Sequence, residues 1–259
     1  TVTARDLYDR YVEDWNEWPA AIGAPFTDVD TNGAYDPAVD VPGQPGADQT
    51  LWYVSNDLDT ARTQYLAGCP PIGIEMQRTI WGYRRGGVIG NTIFSSTVLI
   101  NKSGALVDSM YIAQWSDPDL GHAGDDFVGC DTTRDLGYVY NGAATDPVYG
   151  SAVPAVGYVL LQGPVVAGAP TDTALFLSSQ RPGFRNLRLS AFTLFGTPFG
   201  DPAQGVNGDV QWYRILKGLT HGAGVPFVDP LTGKTTAFCL AGDPVLSTDG
   251  SAGWVDGLG

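Results

Sequence analysis

The chain has 259 residues, of which 43% are apolar, and this is enough for one large all-β domain or two small ones with a sizeable core. Its formal net charge is −14, and its longest basic run is Arg84-Arg85, so it lacks the basic stripes that bind nucleic acid. No run of about 18 apolar residues occurs, which argues against a membrane-spanning helix.

The acidic residues are nearly all aspartate, since only Glu13, Glu17 and Glu75 are glutamate. Asp is typical of turns and of sites for hard cations, whereas Glu and Lys populate helix surfaces. The charge is therefore expected in loops, which fits a soluble extracellular or high-salt setting. Because the chain opens at Thr1 without a signal peptide and closes in loop-like sequence over 247–259, we expect a piece of a longer protein.

Residues 3–16 are predicted to form a short helix. Apolar residues such as Leu7 and Tyr11 recur near helical spacing, and Thr3 is suited to cap the first turn. From 20 to 50 the chain is rich in Gly, Pro and Asp with little periodicity. In a compact domain this composition indicates a long functional or ion-ordered loop.

Most of the remaining chain is predicted to form short strands. The runs are β-branched and aromatic, several alternate, and turn-forming residues bound them. They cover residues 50–56, 72–83, 91–101, 105–116, 136–142, 155–163, 173–179, 185–196 and 234–240. The sequence Asn-Lys-Ser-Gly at 101–104 predicts a hairpin turn, so 72–116 is expected to be a meander.

A second helix is predicted over 208–219, where apolar residues recur at helical spacing and Gly218 lies near the end. Many strands with few helices between them favour an all-β fold, an antiparallel β-sandwich with long Asp/Gly-rich loops. No repeat or low-complexity tract separates two domains. We therefore predict one domain over 1–259, with the helix and acidic loop of residues 1–49 packed on it.

Residues 27–40, with the sequence TDVDTNGAYDPAVD, have the spacing of a calcium-binding loop. Calcium takes six to eight oxygen ligands, which a tight loop supplies from alternate residues around a glycine at its sixth position, here Gly33. The match weakens at the twelfth position, where Val39 replaces the expected glutamate and the next acid comes one step late. The predicted Ca²⁺ ligands are Asp28, Asp30, Asn32, the Ala34 carbonyl, Asp36, Asp40 and Asp48.

The alternative interpretation of this loop is a plain turn, because Asp, Asn, Gly and Pro are turn formers that need no ion. Electrostatics argues against it. Two carboxylates about 4 Å apart repel by about 1 kcal/mol in water and by about 4 kcal/mol at an effective dielectric of 20. Several carboxylates in one long loop are therefore hard to order without a counter-ion. The flanking prolines exclude a helix–loop–helix, so the site would be structural rather than a sensor.

A second acidic stretch, residues 115–131, matches no standard calcium loop. Two interpretations remain open, a second cation site and a solvated loop at a strand end. The candidate ligands of a second metal ion are Asp117, Asp119, Asp125 and Asp126.

The three cysteines, Cys69, Cys130 and Cys239, lie far apart and form no Cys-x-x-Cys pair. A thiolate zinc site or a redox motif is therefore not indicated. One disulfide with a free thiol and three buried thiols both remain open.

Several long segments resemble a group of large, mostly uncharacterised secreted bacterial proteins, many of which carry a C-terminal sorting tail for type IX export. The segments span most of residues 14–257 and include DWNEWPAAIGAPF, PPIGIEMQRTIWGY, INKSGALVDSMYIAQWSDPDLGHAGDDFVGCD and PAVGYVLLQGP. The resemblance implies an extracellular or cell-surface location, β-rich modules and calcium-type acidic loops, but no activity. The sorting tail is absent from this chain.

No catalytic site is indicated. His122 and His221 are the only histidines, and neither lies near a recognisable nucleophile motif. Aromatic residues in irregular segments invite a carbohydrate-binding interpretation, for which Trp15 and Trp18 are the candidate glycan contacts.

The sequence thus favours a non-catalytic, calcium-stabilised extracellular or cell-surface structural or adhesion module. Such a module would bind calcium, and it could self-associate or bind other surface proteins. The alternative is a carbohydrate-binding or carbohydrate-active module of a secreted protein.

Overall fold

The computed structural model describes residues 2–196, 200–245 and 253–256. The chain divides into two compact units, and each is described by itself. The N-terminal unit comprises Thr1–Tyr65 and Pro70–Asp108, and the C-terminal unit comprises Leu66–Cys69 and Ser109–Gly259. The prediction of one domain over 1–259 stays a prediction. The loop-like end predicted for 247–259 lies outside the described residues except for 253–256.

The first helix of the N-terminal unit, α1, spans Ala4–Asn16 and confirms the sequence prediction. Thr3 and Asp6 form a capping box, in which the backbone N–H of Asp6 donates to the Thr3 hydroxyl at 3.1 Å and the backbone N–H of Thr3 donates to the Asp6 carboxylate at 2.8 Å. A second helix, α2, spans Thr60–Ala67.

Five strands lie in the N-terminal unit: β1 (Phe26–Thr27), β2 (Val41–Pro42), β3 (Gln49–Asn56), β4 (Ile74–Gly82) and β5 (Ile93–Asn101). The two short strands β1 and β2 form an antiparallel pair. The three long strands form an antiparallel sheet in the order β3-β4-β5. The strands predicted over 50–56, 72–83 and 91–101 are therefore confirmed.

The strand predicted over 105–116 is wrong, since this segment is irregular. Its aromatic side chains pack elsewhere within the C-terminal unit. The ring of Tyr111 lies 5.5 Å from that of Tyr213, and the ring of Trp115 stacks 6.4 Å from that of Phe195. The alternating pattern thus reflects packing of aromatic rings rather than pairing with β5.

The main sheet of the C-terminal unit contains β6 (Asp126–Asp131), β7 (Leu136–Asn141) and β8 (Ala155–Val159). The three strands are antiparallel and follow one another in order. Strands β7 and β8 were predicted. Strand β6 lies in a stretch whose composition favours a loop, because the aspartates at its two ends mask the strand-forming residues between them.

Among the described residues, the rest of the C-terminal unit contains short strand pairs, a helix and irregular segments. The strands are β9 (Val165–Ala167), β10 (Thr173–Phe176), β11 (Ser179–Pro182), β12 (Phe184–Asn186), β13 (Phe227–Val228) and β14 (Thr235–Thr236). The helix α3 spans Gly208–Leu216, which confirms the helix predicted over 208–219. Much of the strands predicted over 185–196 and 234–240 is irregular instead.

The apolar core of the C-terminal unit is small and surrounds a buried thiol. Phe227, Cys239 and Leu240 form its buried centre. Val128 of β6 and Trp254 pack against this centre. The described elements are mostly strands in antiparallel pairs, so the predicted all-β fold is confirmed. Stacking of the sheets into a closed sandwich stays a prediction.

The thiols of Cys130 and Cys239 are expected to be unreactive in the folded protein. All three cysteines are free, and burial raises the pKa of Cys130 and of Cys239 to about 12. At pH 8 only about one in 10⁴ of such thiols is the reactive thiolate. Ellman's reagent should therefore titrate one thiol per folded chain, the half-buried Cys69, and three after unfolding in guanidinium. Two or more reactive thiols in the folded protein would contradict this assignment.

Candidate metal centre

The acidic loop of residues 28–40 is closed at its base by the pair of strands β1 and β2. The last pair of this ladder is Thr27 with Val41, so Asp28 and Asp40 are the first residues beyond it. Antiparallel partners lie about 5 Å apart at Cα. The ladder therefore places the first and last aspartates of the loop, Asp28 and Asp40, side by side.

Asp40 is the buried hub of the loop, with 2% of its surface exposed. One carboxylate oxygen accepts the backbone N–H of Val29 at 2.9 Å, and the other accepts that of Asp36 at 2.8 Å. Its own N–H donates to the Asp36 carbonyl at 2.7 Å. The Asp40 side chain thus joins the beginning and the end of the loop.

Asp28 organises the opposite turn of the loop. Its carboxylate accepts the backbone N–H of Gly33 at 2.7 Å and that of Asn32 at 3.1 Å. The turn needs left-handed backbone at Thr31, with φ of 59°, and at Gly33, with φ of 80°. The hydrogen bond from Gly33 is the main cause that holds the pKa of Asp28 below its ordinary value.

The loop brings three carboxylates to one place. Oxygens of Asp28, Asp30 and Asp40 all lie within 4.8 Å of one another. None of the ion pairs formed by the described residues involves any of the three. This group could hold a metal ion, since clustered carboxylate oxygens without a basic neighbour are ligands that hard cations prefer.

The other predicted ligands lie around this group, and their coordination of an ion stays a prediction. The side-chain oxygen of Asn32 accepts the N–H of Ala34 at 2.7 Å, and Asp36 accepts that of Ala38 at 2.9 Å. Asp48 precedes β3 and accepts the N–H of Arg84 at 2.7 Å. Each of these oxygens accepts a backbone N–H, and the Asp30 carboxylate likewise accepts the backbone N–H of Asn32 at 3.3 Å and its side-chain amide at 2.7 Å.

Helix α1 holds the acidic loop through an aromatic pair. The indole N–H of Trp15 donates to the Pro37 carbonyl at 3.0 Å, and the Tyr35 hydroxyl donates to the Trp15 carbonyl at 2.6 Å. Both bonds cross from the last turn of α1 to the middle of the loop. The helix therefore positions the loop although none of its own residues is buried.

Tyr35 is the residue of this site that the sequence analysis missed. Its ring packs edge to face on Phe26 of β1, with centroids 5.6 Å apart. Burial raises the pKa of Tyr35, and the charges of Asp40 and Asp36 raise it further. The signal was an aromatic residue inside an otherwise polar loop, which indicates that one side of the loop packs on the protein.

The two candidate glycan contacts take part in hydrogen bonds within the N-terminal unit. The indole N–H of Trp18 donates to the Pro25 carbonyl at 2.8 Å, just before β1. Trp18 is half-buried, whereas Trp15 keeps 41% of its surface exposed. Both indole groups thus have a structural role at the base and the middle of the loop.

The four aspartates of the second acidic stretch differ in their local structure and burial. Asp117 and Asp119 are exposed in the irregular segment before β6. Asp125 ends a single 3₁₀ turn, Ala123–Asp125, and Asp126 is the first residue of β6. Only this second pair is partly buried.

Comparisons with protein-family models, with curated proteins and with solved structures return no match for this chain. Among the described residues, no helix combines the length and the apolar character that crossing a bilayer requires.

Replacing Tyr35 by Phe is expected to loosen the acidic loop. The variant removes only the hydroxyl that donates to the Trp15 carbonyl, and such a hydrogen bond contributes about 0.5–1.5 kcal/mol to the free energy of unfolding. Thermal melts should show a lower midpoint for Tyr35→Phe. The control is Tyr8→Phe, which removes the hydroxyl of a tyrosine that is 60% exposed on α1. Equal midpoints for the two variants would contradict the role assigned to Tyr35.

Proposed function

We propose that this chain is a non-catalytic, calcium-stabilised structural or adhesion module of a secreted or cell-surface protein. The observation that carries the proposal is the group formed by Asp28, Asp30 and Asp40. Three carboxylates that approach within 4.8 Å without a basic partner repel one another. A divalent cation removes this repulsion and converts it into attraction.

Calcium fits the acidic loop better than other common cations. The candidate ligands are all oxygen atoms, whereas zinc and copper prefer sulfur and nitrogen ligands. Magnesium requires a nearly ideal octahedron and gives up its water reluctantly, whereas calcium accepts irregular shells of six to eight oxygens. An exposed loop with three carboxylates and further carbonyl and amide oxygens meets the second description.

The need for an ion follows from how little apolar surface the N-terminal unit buries. Among its described residues, Ala24 is the only buried one with an apolar side chain, whereas the carboxylate of Asp40 is buried. Burial of apolar surface is the dominant favourable term in folding. A unit that lacks it needs another source of stability, and bound calcium supplies one, since an ion that binds only the folded state stabilises that state.

A secreted or surface setting accords with the chemistry of the chain. Millimolar calcium outside cells saturates sites of moderate affinity, and a net charge of −14 keeps such a protein in solution. The resemblance to secreted bacterial proteins points the same way. Strands β3 and β5 are the edges of their sheet among the described residues, and either edge could pair with a second copy or another surface protein.

A carbohydrate-binding function is the second candidate. The exposed part of Trp15 supports it, because an accessible indole face can stack on a sugar ring. Binding there would depend on the acidic loop, since Trp15 is tied to Pro37. A glycan array probed with the intact chain and with Trp15→Ala would detect this function.

Calcium is expected to stabilise the protein through the acidic loop. At 100 times the dissociation constant it should add about 2.7 kcal/mol to the free energy of unfolding relative to EDTA. In Asp30→Asn, a tenfold weaker site would reduce the gain at the same calcium concentration to about 1.4 kcal/mol. Asp30 suits this test because it is exposed and its carboxylate accepts hydrogen bonds from Asn32 within the same turn.

The control for this test is Asp14→Asn, which makes the same change of charge at an exposed residue of α1. It should keep the full gain from calcium. Chemical or thermal unfolding in calcium and in EDTA measures all three proteins. Identical unfolding curves in the two buffers for the wild-type chain would refute the proposal.

A further inference from the structure

The beginning of β6 and the end of β7 place three oxygen-bearing side chains together in the C-terminal unit. Asp126 and Asn141 are direct partners in the antiparallel ladder, so their side chains lie on the same face of the sheet. Asp125 precedes Asp126, and its carbonyl accepts the N–H of Gly142 at 2.6 Å. The amide of Asn141 reaches Asp125 and donates to its carboxylate at 3.2 Å.

One oxygen of each of these three side chains is buried without a hydrogen-bond donor. They are Asp125 Oδ1, Asp126 Oδ1 and Asn141 Oδ1, and among the described residues no other buried side-chain oxygen lacks a partner. Asn141 itself is 8% exposed. Buried acceptors are normally paired, so three in one place require an explanation.

The orientation of the Asn141 amide is fixed by its neighbours. Its nitrogen donates to Asp125 and also to the Ala143 carbonyl at 3.3 Å. Both partners are acceptors, so exchanging the oxygen and the nitrogen would set acceptor against acceptor. The unpaired atom of Asn141 is therefore its oxygen, and amide oxygens belong to the atom types that coordinate hard cations.

The basic group nearest to the unpaired Asp125 oxygen does not satisfy it. His122 Nδ1 lies 3.5 Å from Asp125 Oδ1. The same nitrogen already accepts the backbone N–H of Gly124 at 3.1 Å, so it presents a lone pair rather than a proton. No lysine or arginine among the described residues forms an ion pair with Asp125 or Asp126.

We propose that Asp125, Asp126 and Asn141 bind a divalent cation of the calcium class, in a second site separate from the acidic loop. Two carboxylates and an amide oxygen are ligands typical of hard cations, and water completes the shell. The second carboxylate oxygen of Asp126 accepts the N–H of Leu120 at 2.8 Å, so an ion here would also fix the segment that enters β6.

This site differs from the one expected from the sequence, because Asn141 takes the place of Asp117 and Asp119. It is also independent of the proposed function, since it lies in the C-terminal unit and shares no residue with the loop of residues 28–40. Either site can therefore fail in an experiment while the other survives.

The test counts bound calcium in the intact chain by native mass spectrometry after removal of divalent ions. The wild type should bind two ions, and Asp126→Asn should bind one. The amide lacks the negative charge of the carboxylate, and its NH₂ group can donate to the unpaired oxygens of Asp125 and Asn141 in place of the ion. Asp117→Asn, the control, changes the same charge at an exposed residue of the same stretch and should keep two. Asp30→Asn should lower the occupancy of the other site about tenfold at limiting calcium and leave this one unchanged.

If Asp126→Asn loses no ion, or if only the ion sensitive to Asp30→Asn is found, the unpaired oxygens hold water and the second site is refuted. If Asp30→Asn has no effect while Asp126→Asn removes an ion, the acidic loop fails and the second site stands.

A measurement on the wild type covers the case in which Asp126→Asn does not fold. Saturating calcium should slow amide hydrogen exchange at Leu120 and Gly142, whose N–H groups donate to Asp126 and Asp125. We expect at least a tenfold slowing relative to EDTA. Unchanged exchange at both amides in saturating calcium would overturn the proposal.

Discussion

The acidic loop of the N-terminal unit is organised around one buried carboxylate. Asp40 has 2% of its surface exposed and accepts backbone N–H groups from Val29 and Asp36. Hydrogen bonds to a charged group contribute about 1.5–3 kcal/mol each, and a buried charge without such bonds would be strongly destabilising. The backbone N–H groups of Val29 and Asp36 therefore hold the Asp40 side chain in place. The Asp40 carboxylate in turn holds these two parts of the loop together. This mutual dependence brings the carboxylates of Asp28 and Asp30 close to a third negative charge.

Helix α1 and the acidic loop stabilise each other for a related reason. The helix is exposed along its whole length, so packing of an apolar face does not explain its position. Two hydrogen bonds between Trp15 and the loop, one given to Pro37 and one received from Tyr35, connect the two elements instead. Loss of order in the loop would release the last turn of α1, so the order of the acidic loop is coupled to that of the helix.

The sequence predicts those parts of the fold where local pattern and tertiary packing agree. The helical spacing of apolar residues and the cap at Thr3 predict α1, and the β-branched and aromatic runs of β3, β4 and β5 predict their strands. The pattern over 105–116 looks equally strand-like, yet its aromatic rings pack on residues far along the chain, which local periodicity cannot indicate. Strand β6 was missed because Asp126 and Asp131 at its two ends were counted as members of a loop.

The acidic loop shows a similar division. Spacing alone identified Asp28 and Asp30, but it placed Asp40 one step too late for a standard loop. Pairing of Thr27 with Val41 removes this difficulty, because the ladder sets Asp40 beside Asp28 whatever the number of residues between them. The role of Tyr35 depends on a contact with α1, and the sequence carries no rule for that contact.

Strand pairing also explains the arrangement at Asp126 and Asn141. In both places an antiparallel ladder ends, and oxygen-bearing residues at its end face each other across the two strands. Residues at such an end are distant in sequence, so a search for acids at fixed spacing detects only one side of the pair. The acidic stretch is recognised from its aspartates, Asp117, Asp119, Asp125 and Asp126, whereas Asn141 carries no charge and lies in a run of strand residues. Its unpaired oxygen becomes visible only when the register of β6 and β7 is known, because that register determines which side chain faces the two carboxylates.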